Sequence, residues 1–180
     1  MTATTASRPA LGLAEINAMD RERFVALLGA TFEHSPWVAE NAWTARPFAS
    51  VDALHAAMID VVRAAPPAVQ IEFLCAHPEL AGREAQAGTL TDASQREQAS
   101  AGLDALSREE LAEMKRLNAA YRQRHGFPFI IAARRHTKEH IFDAMRQRLV
   151  GETVAEFFEA LEQVALITRA RLRAIVPVVG

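Results

Sequence analysis

Residues 107–131 read SREELAEMKRLNAAYRQRHGFPFII, and this stretch decides the fold. Ser107 followed three residues later by Glu110 is the reciprocal capping pattern that opens a helix. Leu111, Met114, Leu117 and Tyr121 then recur every three or four residues, which places them on one helical face. Gly126 supplies a residue free to turn the chain at the end, and Pro128 prevents the helix from restarting. Beyond it, Phe127 to Ala133 form an extended apolar segment. Its backbone N–H and C=O groups lack helical partners and must bond to something else, either side chains or a ligand with amide-like edges.

Working outward, the same helical period recurs. Apolar Phe24, Leu27, Leu28 and Phe32 predict a helix from about Ile16 to Phe32, with Arg21, Glu22 and Arg23 opening it on the outside. Leu54, Met58, Val61 and Val62 predict a second from Asp52 to Val62. Pro66-Pro67 stops that helix and starts another that runs to about Ala76. His77 to Thr91 contains Pro78, Gly82 and Gly88 and is expected to be mostly irregular. Thr137 is a candidate N-cap for a helix through Ile141, Met145 and Leu149, and a final helix spans about Thr153 to Ile175. No repeat, linker or low-complexity block separates these elements. The expected fold class is all-α: a single-domain bundle of seven or eight helices over residues 11–180, without a sheet. Residues 1–10, rich in Thr, Ala, Ser and Pro, are expected to be a disordered tail.

Half of the 180 residues are hydrophobic, enough for a sizeable core. The formal net charge is −2, so no global basic field recruits nucleic acid. Lys115 and Lys138 are the only lysines, both in strongly charged surroundings, which disfavours a Schiff-base mechanism. The single cysteine, Cys75, allows no internal disulfide and no multi-cysteine zinc site, and in its apolar run it reads as a small buried thiol. No stretch approaches the ~18 apolar residues of a membrane span. The N-terminus lacks the apolar block of a signal peptide, and the terminal Pro-Val-Val-Gly is not a peroxisomal address. A cytoplasmic bacterial protein is the simplest reading.

Four segments are unusual for a plain helical bundle, and each has a structural as well as a functional reading. Trp43-Thr44-Ala45-Arg46-Pro47-Phe48 is a helix end with two aromatic anchors, or a place where Trp43 and Arg46 meet a ligand. His77-Pro78-Glu79-Leu80-Ala81-Gly82 puts an imidazole where a hydrophobic helix ends. It is either a C-terminal cap favoured by the dipole or a general acid/base at a corner made rigid by Pro78. Ser94-Gln95-Arg96-Glu97-Gln98 has capping-box spacing; if Thr91 is the cap instead, Ser94 and Glu97 share a face and are free to bind. Gly126 to Ile131 is a buried connector or a ligand-facing backbone. A fifth pattern, His136-Thr137-Lys138-Glu139-His140, matches H-x-x-E-H zinc hydrolases. Thr137 as N-cap, however, puts His136 outside the helix, and no third ligand stands out.

Taken together and in order, W-x-x-R-P-F, H-P-E-L-A-G, S-x-x-E-Q and G-F-P-F-I-I resemble the 2-oxo-4-hydroxy-4-carboxy-5-ureidoimidazoline (OHCU) decarboxylase family. Arg116 to Tyr121 and Arg171-Leu172 also fit, so the resemblance covers roughly residues 14–176. It implies an all-α fold and cofactor-independent decarboxylation of OHCU to (S)-allantoin in urate breakdown. It implies that His77 and Glu97 are catalytic. The substrate-binding set is Pro78, Ser94, Gln98, the Phe129, Ile130 and Ile131 backbone, and Arg171, whose fork-shaped cation suits a carbonyl or carboxylate. No metal or other cofactor is expected: the carbon bearing the carboxylate adjoins a ring C=N, so the substrate carries its own electron sink. The expected partners are a small-molecule substrate and a second copy of the chain, with neither nucleic acid nor membrane. The competing readings are a non-catalytic helical ligand-binding protein of the same fold, and a ureide or purine hydrolase.

Overall fold

A computed structural model describes residues 11–177; the proposed tail, residues 1–10, lies outside them. Among the described residues there are ten α-helices and no strand. They are α1 (Leu13–Ala18), α2 (Arg21–Leu28), α3 (Trp37–Ala42), α4 (Val51–Ala64), α5 (Pro67–Cys75), α6 (Arg83–Ala87), α7 (Asp92–Ser100), α8 (Arg108–His125), α9 (Lys138–Leu149) and α10 (Thr153–Ile175). Seven have eight residues or more; α1, α3 and α6 have five or six.

The caps fall where the sequence puts them. Ser107 and Glu110 close a reciprocal box on α8, and Gly126 ends it at φ 84°. Thr137 accepts from the His140 amide to start α9, and Ser50 does the same for α4 from Ala53. The expected helix from Ile16 to Phe32 is two helices. Met19 and Asp20 are extended, with ψ 142° and 169°. Asp20 accepts from the Arg23 amide, so a local cap overrides a continuous apolar period. Helix α3 has no side-chain N-cap and is too short for the period to register. Helix α6 breaks the expected irregular stretch between His77 and Thr91.

Helix α10 packs against α4 and α8, α8 against α9, and α3 against α4. The core gathers Met114, Leu117 and Tyr121 of α8 with Leu54 and Met58 of α4, all buried. Tyr121 meets the edges of Phe127 and Phe129 at centroid distances of 6.2 and 5.3 Å. Each such side chain contributes about 1.5–3 kcal/mol by leaving water. The buried stripe of α10 is less ordinary: Ala160, Val164, Ile167, Thr168 and Leu172 share it with Glu156 and Arg171. Two charges therefore enter the interior, one near each end of the longest helix.

The W-x-x-R-P-F segment belongs to the frame. The Arg46 guanidinium lies 3.9 Å over the Trp43 ring and donates to the Asn17 carbonyl at 3.0 Å. Asn17 pairs with the Phe48 backbone in both directions, at 2.9 and 2.8 Å. These contacts hold the end of α1 against the chain entering α4. No helix among the described residues is long and apolar enough to cross a membrane.

Candidate active site

Helix α5 ends two residues before His77, whose amide still donates to the Leu74 carbonyl at 3.1 Å. The chain then makes a tight corner. Ala81 adopts a positive φ of 45°, and the Gly82 amide returns to the Glu79 carbonyl at 3.1 Å. A Cβ on Gly82 would come within 2.7 Å of the Glu79 Cβ, so only glycine fits there. Two side chains brace the corner from behind. Gln98 accepts from the Ala81 amide at 2.8 Å, and Asn118 donates to the Leu80 carbonyl at 2.9 Å. H-P-E-L-A-G is thus a rigid ledge carrying His77.

Thr91 is the N-cap of α7, its hydroxyl accepting from the Ser94 amide. Ser94, Glu97 and Gln98 are therefore free of capping and are buried on one face of the helix. Glu97 takes both edges of a guanidinium fork: Arg171 Nε donates to Oε1 at 2.8 Å and Nη2 to Oε2 at 2.6 Å. Arg171 Nη1 donates to Glu33 Oε2 at 2.7 Å and to the Thr31 carbonyl at 3.5 Å. Its Nη2 also donates to Ser94 Oγ at 3.0 Å. All five guanidinium hydrogens thus have acceptors within the protein. The Ser94 hydroxyl in turn donates to Glu33 Oε2 at 2.9 Å, and the Thr91 hydroxyl donates to Glu33 Oε1 at 2.8 Å.

Burial pushes the Glu33 carboxyl up, but the charge of Arg171 and hydrogen bonds from Arg171, Thr91 and Ser94 outweigh it and hold the group below its usual value. Burial opposes the charge on Arg171, and Glu97 and Glu33 more than restore it. His77 is half-buried by exposure, yet enclosed enough that burial, then the charge of Arg171, draws its pKa down to about 4. Glu33 works against that fall, and His34 adds to it. At neutral pH the imidazole is uncharged, and it can accept a proton.

Eight of the nine residues expected from the sequence line one pocket: His77, Pro78, Ser94, Glu97, Gln98, Phe129, Ile130 and Ile131, with Leu80, Ala133 and Ile167 completing it. The ninth, Arg171, stands behind Glu97 and faces a separate cleft of about 640 Å³ with Arg96 and Arg134. The innermost space of the pocket is about 20 Å³, room for roughly one water. His77 also opens onto a vestibule of about 370 Å³ beside Arg83 and Arg122. Along the apolar wall the Ile130 carbonyl accepts from Arg148 at 3.0 Å, and the Ala132 amide donates to Gln163 at 2.9 Å. The amides of Phe129, Ile130 and Ile131 make no hydrogen bond among the described residues. They are donors available to a ligand.

The H-x-x-E-H pattern does not join this site. His136 precedes α9, and its ring stacks on that of His140, 4.5 Å apart and within 14° of parallel. In-plane nitrogens of parallel rings do not converge on one ion. Among the described residues no group of three or more His, Cys, Asp or Glu is arranged to hold a metal ion. Lys138 is ion-paired with Glu110 at 2.7 Å, and neither lysine lines the pocket. Glu33 is the residue that sequence reasoning missed. It comes just after the last apolar position of an expected helix, where a carboxylate reads as solvent-facing, and no spacing ties it to Ser94 or Arg171.

A family model described as OHCU decarboxylase matches residues 17–173. The 2-oxo-4-hydroxy-4-carboxy-5-ureidoimidazoline decarboxylase of Haloferax volcanii is 44% identical over 162 residues, spanning 90% of this chain and 94% of its own length. The mouse protein of the same name is 37% identical over 162 residues, spanning 90% of this chain and 91% of its own. Among solved structures, an (S)-allantoin synthase aligns with a TM-score of 0.73 at 29% identity, covering 92% of this chain and 54% of that one. An OHCU decarboxylase crystallised in the presence of (S)-allantoin has the same fold, with a TM-score of 0.64 at 20% identity over 87% of this chain and 98% of that one.

Proposed function

This chain belongs to the OHCU decarboxylase family, and we infer that it is the carboxy-lyase converting OHCU to allantoin in urate degradation. What supports the reading at the level of residues is one observation: His77, Glu97 and the Phe129–Ile131 backbone surround a single pocket. The reaction breaks the bond between ring carbon and carboxylate. CO2 leaves, the electron pair moves into the ring toward the adjacent C=N, and that nitrogen takes a proton. The resulting enol then gains a proton on the neighbouring carbon and loses one from its hydroxyl. One proton is consumed overall.

His77 and Glu97 are the proposed proton-handling groups, the imidazole being free to accept at neutral pH. The open amides of the wall are suited to ureido and ring carbonyls, and the apolar lining completed by Leu80 and Ile167 strips water from the carboxylate. Pro78 and Gln98 keep the His77 ledge in place, and Ser94 presents its hydroxyl at the pocket edge. Arg171, with every donor engaged, acts through the Glu97 carboxylate that it orients. Protonation from one face of the ring would give the (S) enantiomer.

Circular dichroism of freshly generated OHCU tests this directly. Spontaneous decay gives racemic allantoin, so the protein should produce an optical signal that buffer alone does not. Identical traces with and without protein would overturn the reading. We place the enzyme in the cytoplasm as a homodimer. Val154 and Phe158, exposed one turn apart on α10, with Val150 exposed in the turn before it, are the feature that supports pairing of two copies. Sedimentation at the monomer mass would remove the second part.

A further inference from the structure

We propose that Glu33 is the positioning residue for the Glu97 carboxylate, acting through Arg171 and Ser94 without touching substrate. The inference rests on the reading of Glu97 as catalytic. A guanidinium can grip a carboxylate with two parallel bonds only if the fork is held in one orientation. Arg171 offers Glu97 its Nε and Nη2 edge, and what fixes that edge is the bond from Nη1 to Glu33 Oε2 at 2.7 Å. The same oxygen accepts from the Ser94 hydroxyl at 2.9 Å, which turns the Ser94 lone pair toward Arg171 Nη2 at 3.0 Å. The other oxygen takes the hydroxyl of Thr91, the cap of the helix that carries Glu97. Glu33 therefore reaches Glu97 by two routes, through α10 and through the start of α7.

A plain counter-ion role does not explain it. Glu97 already balances the charge of Arg171, so Glu33 adds a second buried carboxylate to one guanidinium, with a side chain only 2% exposed. Burying an extra charge is unfavourable unless something depends on it. The next residue, His34, is held at a positive φ of 51°, a conformation disfavoured outside glycine and met where surrounding structure enforces it. Glu33 does not line the pocket, so its influence is indirect.

The test uses the full-length protein with freshly generated OHCU. Glu33→Gln should lower kcat by up to about 10²-fold, the size of effect when a catalytic group shifts by about an ångström, while KM stays near its wild-type value. In a Glu97→Gln background the same change should do little, because both substitutions disable one unit. An activity-independent readout is the His77 imidazole titration by NMR. The Glu33 charge raises the pKa of His77, so Glu33→Gln should lower it further. Wild-type kcat in Glu33→Gln, a raised KM with unchanged kcat, or an undiminished effect beside Glu97→Gln would each overturn the proposal. Should Glu33→Gln fail to fold, Glu33→Asp keeps the charge and shortens the reach. It should lower kcat with KM unchanged, and wild-type kcat there would overturn the proposal equally. A wild-type protein inactive on OHCU would defeat the functional reading instead, leaving the titration to decide the geometry.

Discussion

The two ends of the buried stripe on α10 carry opposite charges and have opposite fates. At one end Glu156 accepts from the Tyr121 hydroxyl and, at 2.8 Å, from Arg148 Nε. Arg148 also holds the Ile130 carbonyl and lies 4.6 Å over the Phe129 ring. Burial, then the bond to Glu156, pushes the Tyr121 phenol above its usual range, so it stays a neutral donor. This cluster is one cation and one anion, sealed behind the pocket wall, with Arg148 Nη2 left buried and unpartnered. At the other end one guanidinium, Arg171, faces two carboxylates, with Ser94 and the Thr31 carbonyl taking its remaining donors, and Glu97 reaches the pocket. Burial of charge is common to both ends. Charge imbalance and access belong only to the second, and they separate a brace from a site.

The sharpest break between the ends is kinetic. His77→Ala and Glu97→Gln should each lower kcat by about 10²–10⁴-fold, the usual contribution of a general acid or base. The fold should survive both, as judged by thermal melting. Turnover near wild type in both variants would leave His77 as the end of α5 and Glu97 as a buried counter-ion of Arg171.

At the rear cluster the expected loss is one of stability. Arg148→Met strands Glu156, whose side chain is 9% exposed, and breaking a buried pair from one side typically costs about 3–5 kcal/mol. Urea unfolding should show this, with activity per folded molecule falling far less than in Glu97→Gln. If Arg148→Met removed activity and left stability intact, the wall would be catalytic machinery and the contrast between the ends would fail.

Protons separate the ends more gently. His77 titrates near 6.5 as a free side chain and at about 4 in the fold. Between those values the unfolded chain binds more protons. The contribution of His77 is therefore complete above about pH 6.5 and declines as pH falls toward 4, by at most about 1.4 kcal/mol per pH unit. Urea midpoints from pH 7 to pH 4 should fall more steeply for wild type than for His77→Ala. Parallel curves would mean that burial and the charge of Arg171 do not hold the imidazole below its free value.

How far the sequence foretold this arrangement depended on the range of the signal. Capping at Ser107, Thr137 and Thr91 is encoded within four residues, so helix starts were legible, and the cap at Thr91 was the condition that freed Ser94 and Glu97. Asp20 carried the same kind of signal, but a continuous apolar period from Ile16 masked it. Three of the four motifs fall on the ledge, the α7 face and the apolar wall, and the fourth braces α1, because each is a local backbone device. Glu33 lies 61 residues from Ser94 and 138 from Arg171, and no local pattern records contacts at that range. Arg148 escaped notice for the same reason: it reads as one more cation in the last turn of α9.

The smallest effects should come from the neighbours of Arg171 on its own helix. Arg169 and Arg173 are one turn apart on the outer face, and both reach Asp52, at 3.1 and 3.0 Å. Arg171, halfway between them in sequence, points inward. A fork is needed where two carboxylates are gripped at fixed angles, and a point charge suffices where one exposed carboxylate is merely approached. Hydrogen bonding from Arg173 leads the causes that hold the Asp52 carboxyl below its usual value. The group is open to solvent, so the gain is screened and shared with water. Arg169→Lys and Arg173→Lys should leave kcat, KM and melting temperature at wild-type values, and raising the salt should hide any residue of a difference. Arg171→Lys keeps the charge and loses the fork, so it should lower kcat through a misplaced Glu97 without shifting the pH–rate profile. If Arg173→Lys were the damaging change and Arg171→Lys silent, the inner and outer faces of α10 would be exchanged, and the contrast between the ends would have to be drawn again from the other side of the helix.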